Sequence, residues 1–268
     1  MYIYDIANRL VNVNGVTYTW DANGNLLNDG VYTYTYDAAD RLITTTQGAN
    51  VYAFRYNGLG DRLRQTVNGV VTTYTLDLNA DLTQVLADGT NTYLYGNGRV
   101  AQQNVTSTDY FLGDALGSVR QLANASGSVT LARSYEPYGS VLSSAGSGTT
   151  IYNFTGEIRD ATNLIYLRAR YLSTSQGRFI SADTWPGDYQ RPLTLNKWNY
   201  SLSNPVNYTD PSGHVVCLYG VDPNTGACNP SPFAALLPPW LATAATQSAG
   251  TPQSTIVGGV IIVGSICV

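Results

Sequence analysis

Charge is scarce in this chain. Asp, Glu, Lys and Arg make up 12% of its 268 residues, and the formal net charge is −4. Soluble globular chains carry about twice that share. The 14 Lys and Arg residues form no block. A phosphate backbone or an anionic membrane surface would find no electrostatic footprint here, so nucleic acid is excluded as a partner. Histidine occurs once, as His214. Any Ser-His or Cys-His catalysis would have to use it, and it sits beside Gly213 in a turn-like stretch. Cysteine is confined to Cys217, Cys228 and Cys267. None has zinc spacing, and a Cys217–Cys228 disulfide would leave Cys267 over. P-loop and dinucleotide fingerprints are missing, since Gly96-Asn97-Gly98 lacks a strand-to-helix setting. No cofactor and no metal are expected.

Long apolar runs are also lacking. The stretch Ile256–Val268 spans 13 residues, whereas a membrane-crossing helix needs roughly 20. Its Gly258, Gly259 and Gly264, set among β-branched residues, favour a strand. The opening Met1-Tyr2-Ile3-Tyr4-Asp5 has neither the basic region nor the apolar core of a signal peptide. It reads as the middle of a repeat.

What the chain does contain is tyrosine and glycine, 21 and 26 residues, against 5 Phe and 1 Met. With abundant Thr and Asn, that balance predicts an all-β protein. An aromatic followed by Asp or Asn, a turn, and a Leu recurs along the first half. Its clearest copies are Tyr4-Asp5-Ile6-Ala7-Asn8-Arg9-Leu10, Trp20-Asp21-Ala22-Asn23-Gly24-Asn25-Leu26 and Tyr36-Asp37-Ala38-Ala39-Asp40-Arg41-Leu42. A copy one residue longer, ending at Leu63, starts at Tyr56. A worn copy follows at Leu76 and a short one at Tyr95. The anchors step by 16, 16, 20, 20 and 19 residues.

One unit can be read physically. In Val31-Tyr32-Thr33-Tyr34-Thr35-Tyr36 the alternation puts the tyrosines on one face and the threonines on the other. The Asp-led segment is turn chemistry, because Asp and Asn bond their own backbone and Gly supplies positive φ. Asn14-Gly15 and Asn68-Gly69 are tight hairpin turns. Each repeat is thus a β-hairpin that must stack on neighbours to bury its face. The Tyr stripes therefore serve packing; glycans stacked on exposed rings are the second reading.

These units resemble the YD repeats of bacterial Rhs proteins, vertebrate teneurins and the C components of insecticidal toxin complexes. Downstream, Asp114-Ala115-Leu116-Gly117-Ser118-Val119-Arg120, Tyr135-Glu136-Pro137-Tyr138-Gly139, Tyr166-Leu167-Arg168-Ala169-Arg170-Tyr171, Gly177-Arg178-Phe179-Ile180-Ser181-Ala182-Asp183 and Asn204-Pro205-Val206-Asn207-Tyr208-Thr209-Asp210-Pro211-Ser212-Gly213 resemble the Rhs-associated core. The resemblance covers residues 1–213. It implies stacked hairpins in a curved, shell-like sheet at 1–108, a core plug at 109–213 and a variable tail at 214–268. It implies a secreted or cell-surface bacterial protein whose own C-terminal tail is a payload. Further YD-repeat shell polypeptide would complete the enclosure. A non-enzymatic adhesion or carbohydrate-binding module is the alternative.

In that family the core includes an aspartyl autoprotease that cuts after the Asp-Pro-x-Gly motif. Matched by motif, its catalytic residues fall on Asp183, Asp210 and Arg170, with the cut at Gly213, His214 and Val215, between the last two. The chemistry is sound in outline. Two carboxylates held close cannot both ionise, so one keeps a proton and the pair can act as acid and base on a water. A guanidinium can hold one of them ionised or neutralise an oxyanion. Spacing alone would not single these two out of 18 acidic residues. The chain departs from the family at Thr184, where Pro is usual, and at His214, where Leu is usual. Asp188 is a nearby competitor. Asp210-Pro211-Ser212-Gly213 is also a good turn in its own right, and Arg170 and Arg178 could simply pair with buried carboxylates.

Overall fold

The computed structural model describes residues 1–214 apart from 81 and 97, residue 216, and the backbone of 254–257 and 260–263. Val215 and the three cysteines lie outside the described residues. Within the apolar C-terminal run, Ser254–Val257 pairs antiparallel with Val260–Val263.

Among the described residues there is no α-helix. From Tyr2–Tyr4 to Val141–Gly146 the chain is an antiparallel meander in which, within each sheet, strands pair with their neighbours in sequence. It falls into sheets of three, seven and eight strands. The joints are at Tyr18 and Tyr74, whose amides still donate to Val11 O at 2.9 Å and Leu63 O at 2.8 Å. One extended segment therefore passes from each sheet into the next, and the meander is a continuous ribbon. The strands on both sides of residue 108 belong to the same eight-stranded sheet.

The Asp of each repeat organises its turn. The Asp37 amide donates to Arg41 O, and Asp40 N–H returns to Asp37 O, both at 3.0 Å. Asp37 Oδ1 accepts the amides of Ala39 and Arg41, while Arg41 Nε donates to Oδ2 at 2.7 Å. Asp5 and Asp21 build the same turn with Arg9 and Asn25. The third residue after the Asp takes left-handed backbone: Asn8 (φ 64°), Gly24 (φ 88°) and Asp40 (φ 59°). This explains why that position is restricted to Gly, Asn or Asp. Gly24 is constrained twice, because a Cβ there would meet Trp198 at 2.8 Å.

The anchor aromatic ends its strand at a register shift and ties its repeat to the one before. Trp20 Nε1 donates to Leu10 O at 2.8 Å, Tyr36 Oη to Leu26 O at 3.0 Å and Tyr56 Oη to Leu42 O at 2.6 Å. Tyr95 reaches Val85 O and Tyr135 reaches Val119 O, both at 2.8 Å. The apolar side chain at four of these five accepting carbonyls, Leu10, Leu26, Leu42 and Val119, is buried, and Val85 is half-buried. These rungs stabilise the stack from inside. Tyr36→Phe removes one donor and strands a carbonyl, so it should cost about 1–2 kcal/mol. Urea titration should show a lower midpoint at unchanged slope, while Tyr110→Phe on the exposed face should be silent.

The structure corrects the register at Tyr56. That turn is not longer than the others: Asn57 N–H donates to Asp61 O, and Tyr56 pairs with Arg62. Arg62, not Leu63, occupies the buried position that Leu42 fills one repeat earlier, and Leu63 is turned outward. The Tyr stripe is core, as the alternation implies: Tyr34, Tyr52, Tyr74 and Tyr93 are buried, whereas Thr33 and Thr35 are exposed.

The segment after Gly146 folds back across the repeats. Its four-stranded sheet comprises Ile158–Arg159, Leu164–Leu167, Arg170–Ser173 and Arg178–Phe179. The two central strands are buried throughout. It touches turn after turn of the meander. Arg178 Nη2 donates to Asn8 O at 2.6 Å, Trp198 Nε1 to Gly24 O at 2.9 Å and Leu26 N–H to Ile180 O at 2.8 Å. Further along, Arg99 reaches Gly156 O and the Val119 amide reaches Asn153 O, each at 2.9 Å. This segment is a plug seated on the inner, aromatic face of the ribbon, and the two share one core.

Candidate active site

The site forms where two turns of the plug meet. Leu167 pairs with Arg170 across a two-residue turn whose first residue, Arg168, is left-handed at φ 58°. A non-glycine residue there is costly, and Arg168 is held by Glu157 at 2.8 Å and by the Pro211 carbonyl at 2.5 Å. The Ala169 amide donates to Ser212 O at 3.2 Å. The hairpin turn thus grips the Asp210–Gly213 turn from below. Gly213 has φ 76°, and a Cβ on it would lie 2.4 Å from Leu167 O. The last position of the Asp-Pro-Ser-Gly motif therefore admits only glycine in this packing.

Arg170 follows the turn and is buried, with its side chain 4% exposed. Its guanidinium touches four oxygens. Nη2 lies 2.8 Å from Asp183 Oδ2 and 3.4 Å from Asp210 Oδ2. Nη1 donates to Lys197 O at 2.9 Å, and Nε donates to Gly213 O. The Phe179 ring lies under Cζ at 3.7 Å from its centroid. Asp183 is placed by its own amide, which donates to Lys197 O at 2.9 Å. The three catalytic residues expected from the sequence thus meet around one nitrogen. Asp210 also fulfils its turn role, with the Gly213 amide donating to its carbonyl at 3.4 Å. Asp188 stays away, facing Arg191 at 3.8 Å.

The two carboxylates differ in environment. Burial pushes the Asp210 carboxyl up to about 6; the Asp183 charge adds to this, and Arg170 opposes it. Burial also acts to raise Asp183, but it is outweighed by the His214 hydrogen bond, the Arg170 charge and the Trp185 amide, which together hold it below the ordinary carboxylate range. Burial lowers the Arg170 guanidinium against the pull of both aspartates. The arrangement keeps Asp183 ionised while Asp210 can hold a proton, which is an acid–base pair. Among the described residues, no group of three or more His, Cys, Asp or Glu is arranged to hold a metal ion.

Sequence reasoning placed His214 at the cut but missed its hold on Asp183. His214 Nδ1 lies 2.9 Å from Asp183 Oδ1. The Arg168 clamp and the Lys197 carbonyl were missed as well. Only the position of the sole imidazole, next to the Asp-Pro-Ser-Gly turn, could have pointed to the first. A cavity of about 390 Å³ reaches the site, lined among others by Arg41, Tyr56, Asp61, Arg170 and His214.

A meander of Asp-led hairpins, each stapled to the last by an aromatic donor and closed by a plug, defines a YD shell. The chain belongs to the teneurin YD-shell family, whose model matches residues 1–206. It is 34% identical over 229 residues to the tRNA3(Ser)-specific nuclease WapA of Bacillus spizizenii, which covers 80% of this chain and 10% of that protein. The tRNA nuclease WapA of Bacillus subtilis is 33% identical with the same coverage, so the chain spans about a tenth of these relatives' length. Among solved structures, the crystal structure of TcdB2-TccC3 superimposes with a TM-score of 0.57 at 22% identity, over 72% of this chain and 11% of that one. The Photorhabdus luminescens Tc holotoxin pore gives 0.57 at 18% identity, over 85% and 14%. These likenesses establish the fold.

Proposed function

We propose that this chain is a YD-shell segment that presents the residues after 214 as a payload and releases them by hydrolysing the His214–Val215 bond within itself. The observation that carries this reading is the buried guanidinium of Arg170, which joins the carboxylates of Asp183 and Asp210 at the turn preceding the cut. A water entering by the adjoining cavity gives a proton to Asp183 as its oxygen bonds to the His214 carbonyl carbon. Asp210 supplies its proton to the departing nitrogen as the C–N bond breaks. One water is consumed, and a carboxyl group at His214 and a free amine at Val215 are formed. Arg170 balances charge throughout.

Intact-mass measurement on freshly made protein should show 1–214 and 215–268 growing with time. The full-length mass alone, across pH and days, would end the proposal. The neighbouring bond is a second reading with its own support, since Arg170 Nε holds the Gly213 carbonyl. A released fragment that begins at His214 would select it. The pH dependence follows from the two carboxyls. As pH rises through about 6, Asp210 loses the proton it must donate, so the rate should fall on the alkaline side. On the acid side it should persist until Asp183 protonates, below the ordinary carboxylate range.

The tRNA-nuclease activity named for the relatives belongs to much longer proteins, and the payload chemistry here is a separate matter. As for partners, among the described residues Tyr2–Tyr4 and Val141–Gly146 each have one strand neighbour. Such open edges accept further strands, which supports association with additional shell polypeptide.

A further inference from the structure

We propose that His214 is a positioning residue of the self-cleaving site in this chain: its imidazole fixes and orients the base Asp183. The inference rests on the self-cleavage reading above and assigns His214 a role beyond marking the bond. Two contacts join it to the site. The Nδ1–Oδ1 contact with Asp183 is 2.9 Å, and because an ionised carboxylate only accepts, Nδ1 is the donor. The His214 amide donates to Ser212 Oγ at 3.1 Å, and Ser212 Oγ donates to Asp210 Oδ1 at 3.3 Å. The residue thus contacts one carboxylate through its ring and the other through its backbone and one hydroxyl.

The division of labour at Asp183 is clear. Oδ2 takes Arg170 Nη2, while Oδ1 takes the Trp185 amide at 3.0 Å and the imidazole. Arg170 alone would leave the carboxylate free to rotate about its axis; the imidazole and the amide pin the other oxygen. Asp183 is 11% exposed in its side chain and His214 38%, so the ring closes the base off from the open side. The charged groups facing the pair are Arg170 and Asp210 within the plug and Arg168, Arg41, Asp40 and Asp61 along the cavity. The ring carries the specificity. Asn places a side-chain nitrogen two bonds from Cβ, as Nδ1 is, whereas Leu fills similar space without a donor. If the cut follows His214, the ring stays with the shell, and the cleaved site remains filled by its own product.

The test uses the full chain with His214, His214→Leu or His214→Asn. His214→Leu should slow cleavage on the order of 10²-fold, the scale of a misplaced catalytic group. It should also move the acid limb of the pH profile upward, since Asp183 loses a donor that favours its ionised form. His214→Asn should restore both in large part. The limb shift is what a merely structural role would not produce, and unchanged thermal denaturation would show that folding is intact. A second measurement needs no cleavage: NMR titration of the Asp183 carboxyl in Asp210→Asn chains, with and without His214→Leu. An upward shift in titration on losing the imidazole supports the role. If Leu and Asn variants cleave alike and the Asp183 titration stays put, the role of His214 is overturned while self-cleavage survives. If the titration moves and no chain is ever cut, self-cleavage fails while the contact stands.

Discussion

Chains carrying Asp183→Asn or Asp210→Asn should remain at full length under conditions in which the unaltered chain separates into two fragments. The loss should be at least about 10³-fold, because proton transfer by a positioned carboxyl contributes about 10²–10⁴-fold and the two groups act as a unit. Asn keeps the shape and a carbonyl for Arg170, so the fold should hold, and far-UV circular dichroism with a melting curve checks this. The two variants fail for different reasons. Without the Asp183 charge there is no base, and Asp210 also loses the like charge that adds to its raised value. Without Asp210 there is no proton to give, although Asp183 still sits against Arg170 at 2.8 Å. Arg170→Lys should fail with them. An ammonium cannot reach Asp183, Asp210, Lys197 O and Gly213 O at once, as the planar guanidinium does. Cleavage surviving in either Asn variant would show that the carboxylates serve only to hold the turn.

Much of the fold was legible because its units are local. An Asp that bonds its own turn, a left-handed position three residues on and an aromatic before it all lie within seven residues, so each copy carries its own instructions. Tyr36, Asp37, Asp40 and Leu42 do in space what their types imply. What was not legible is the pairing across distance. The Asn57 turn offered two registers, and the repeated Arg-Leu pair pointed to Leu63. Only the partner Asp160, 98 residues away, explains why Arg62 is inside instead. The candidate site shows the same limit. Asp183, Asp210 and Arg170 came from matched motifs, and nothing in their spacing could reveal that His214 would lean on Asp183. Turn chemistry is written in neighbours, whereas the contents of the core depend on which turns the plug covers.

That covered turn makes Arg62 the position where substitution should damage the shell most. The guanidinium lies 2.6 Å from Asp160 Oδ2, with side chains 1% and 0% exposed. It is surrounded by the rings of Tyr166 at 4.2 Å, Tyr74 at 5.4 Å, Phe54 at 5.5 Å and Tyr171 at 5.9 Å. Asp160 heads a turn of the repeat's own form, with its amide donating to Leu164 O and Asn163 N–H returning to Asp160 O, both at 2.9 Å. In the repeats, the leading carboxylate serves its own turn; here it is lent to the ribbon. Burial pushes the Asp160 carboxyl up while Arg62 pulls it down, so neither charge is tolerable alone. Arg62→Ala should therefore destabilise by about 3–5 kcal/mol, the cost of orphaning a buried charge. For a chain of this size that is a drop in Tm of about 6–20 °C. Arg62→Lys should recover only part of it, since a compact ammonium cannot lie flat on Tyr166 and still reach Asp160. The paired change Arg62→Met with Asp160→Leu should cost less than Arg62→Ala alone, because an apolar pair leaves no charge unmet. Calorimetry on the four chains decides it. Single and paired variants melting together would mean that the rings, not the ion pair, hold plug to ribbon.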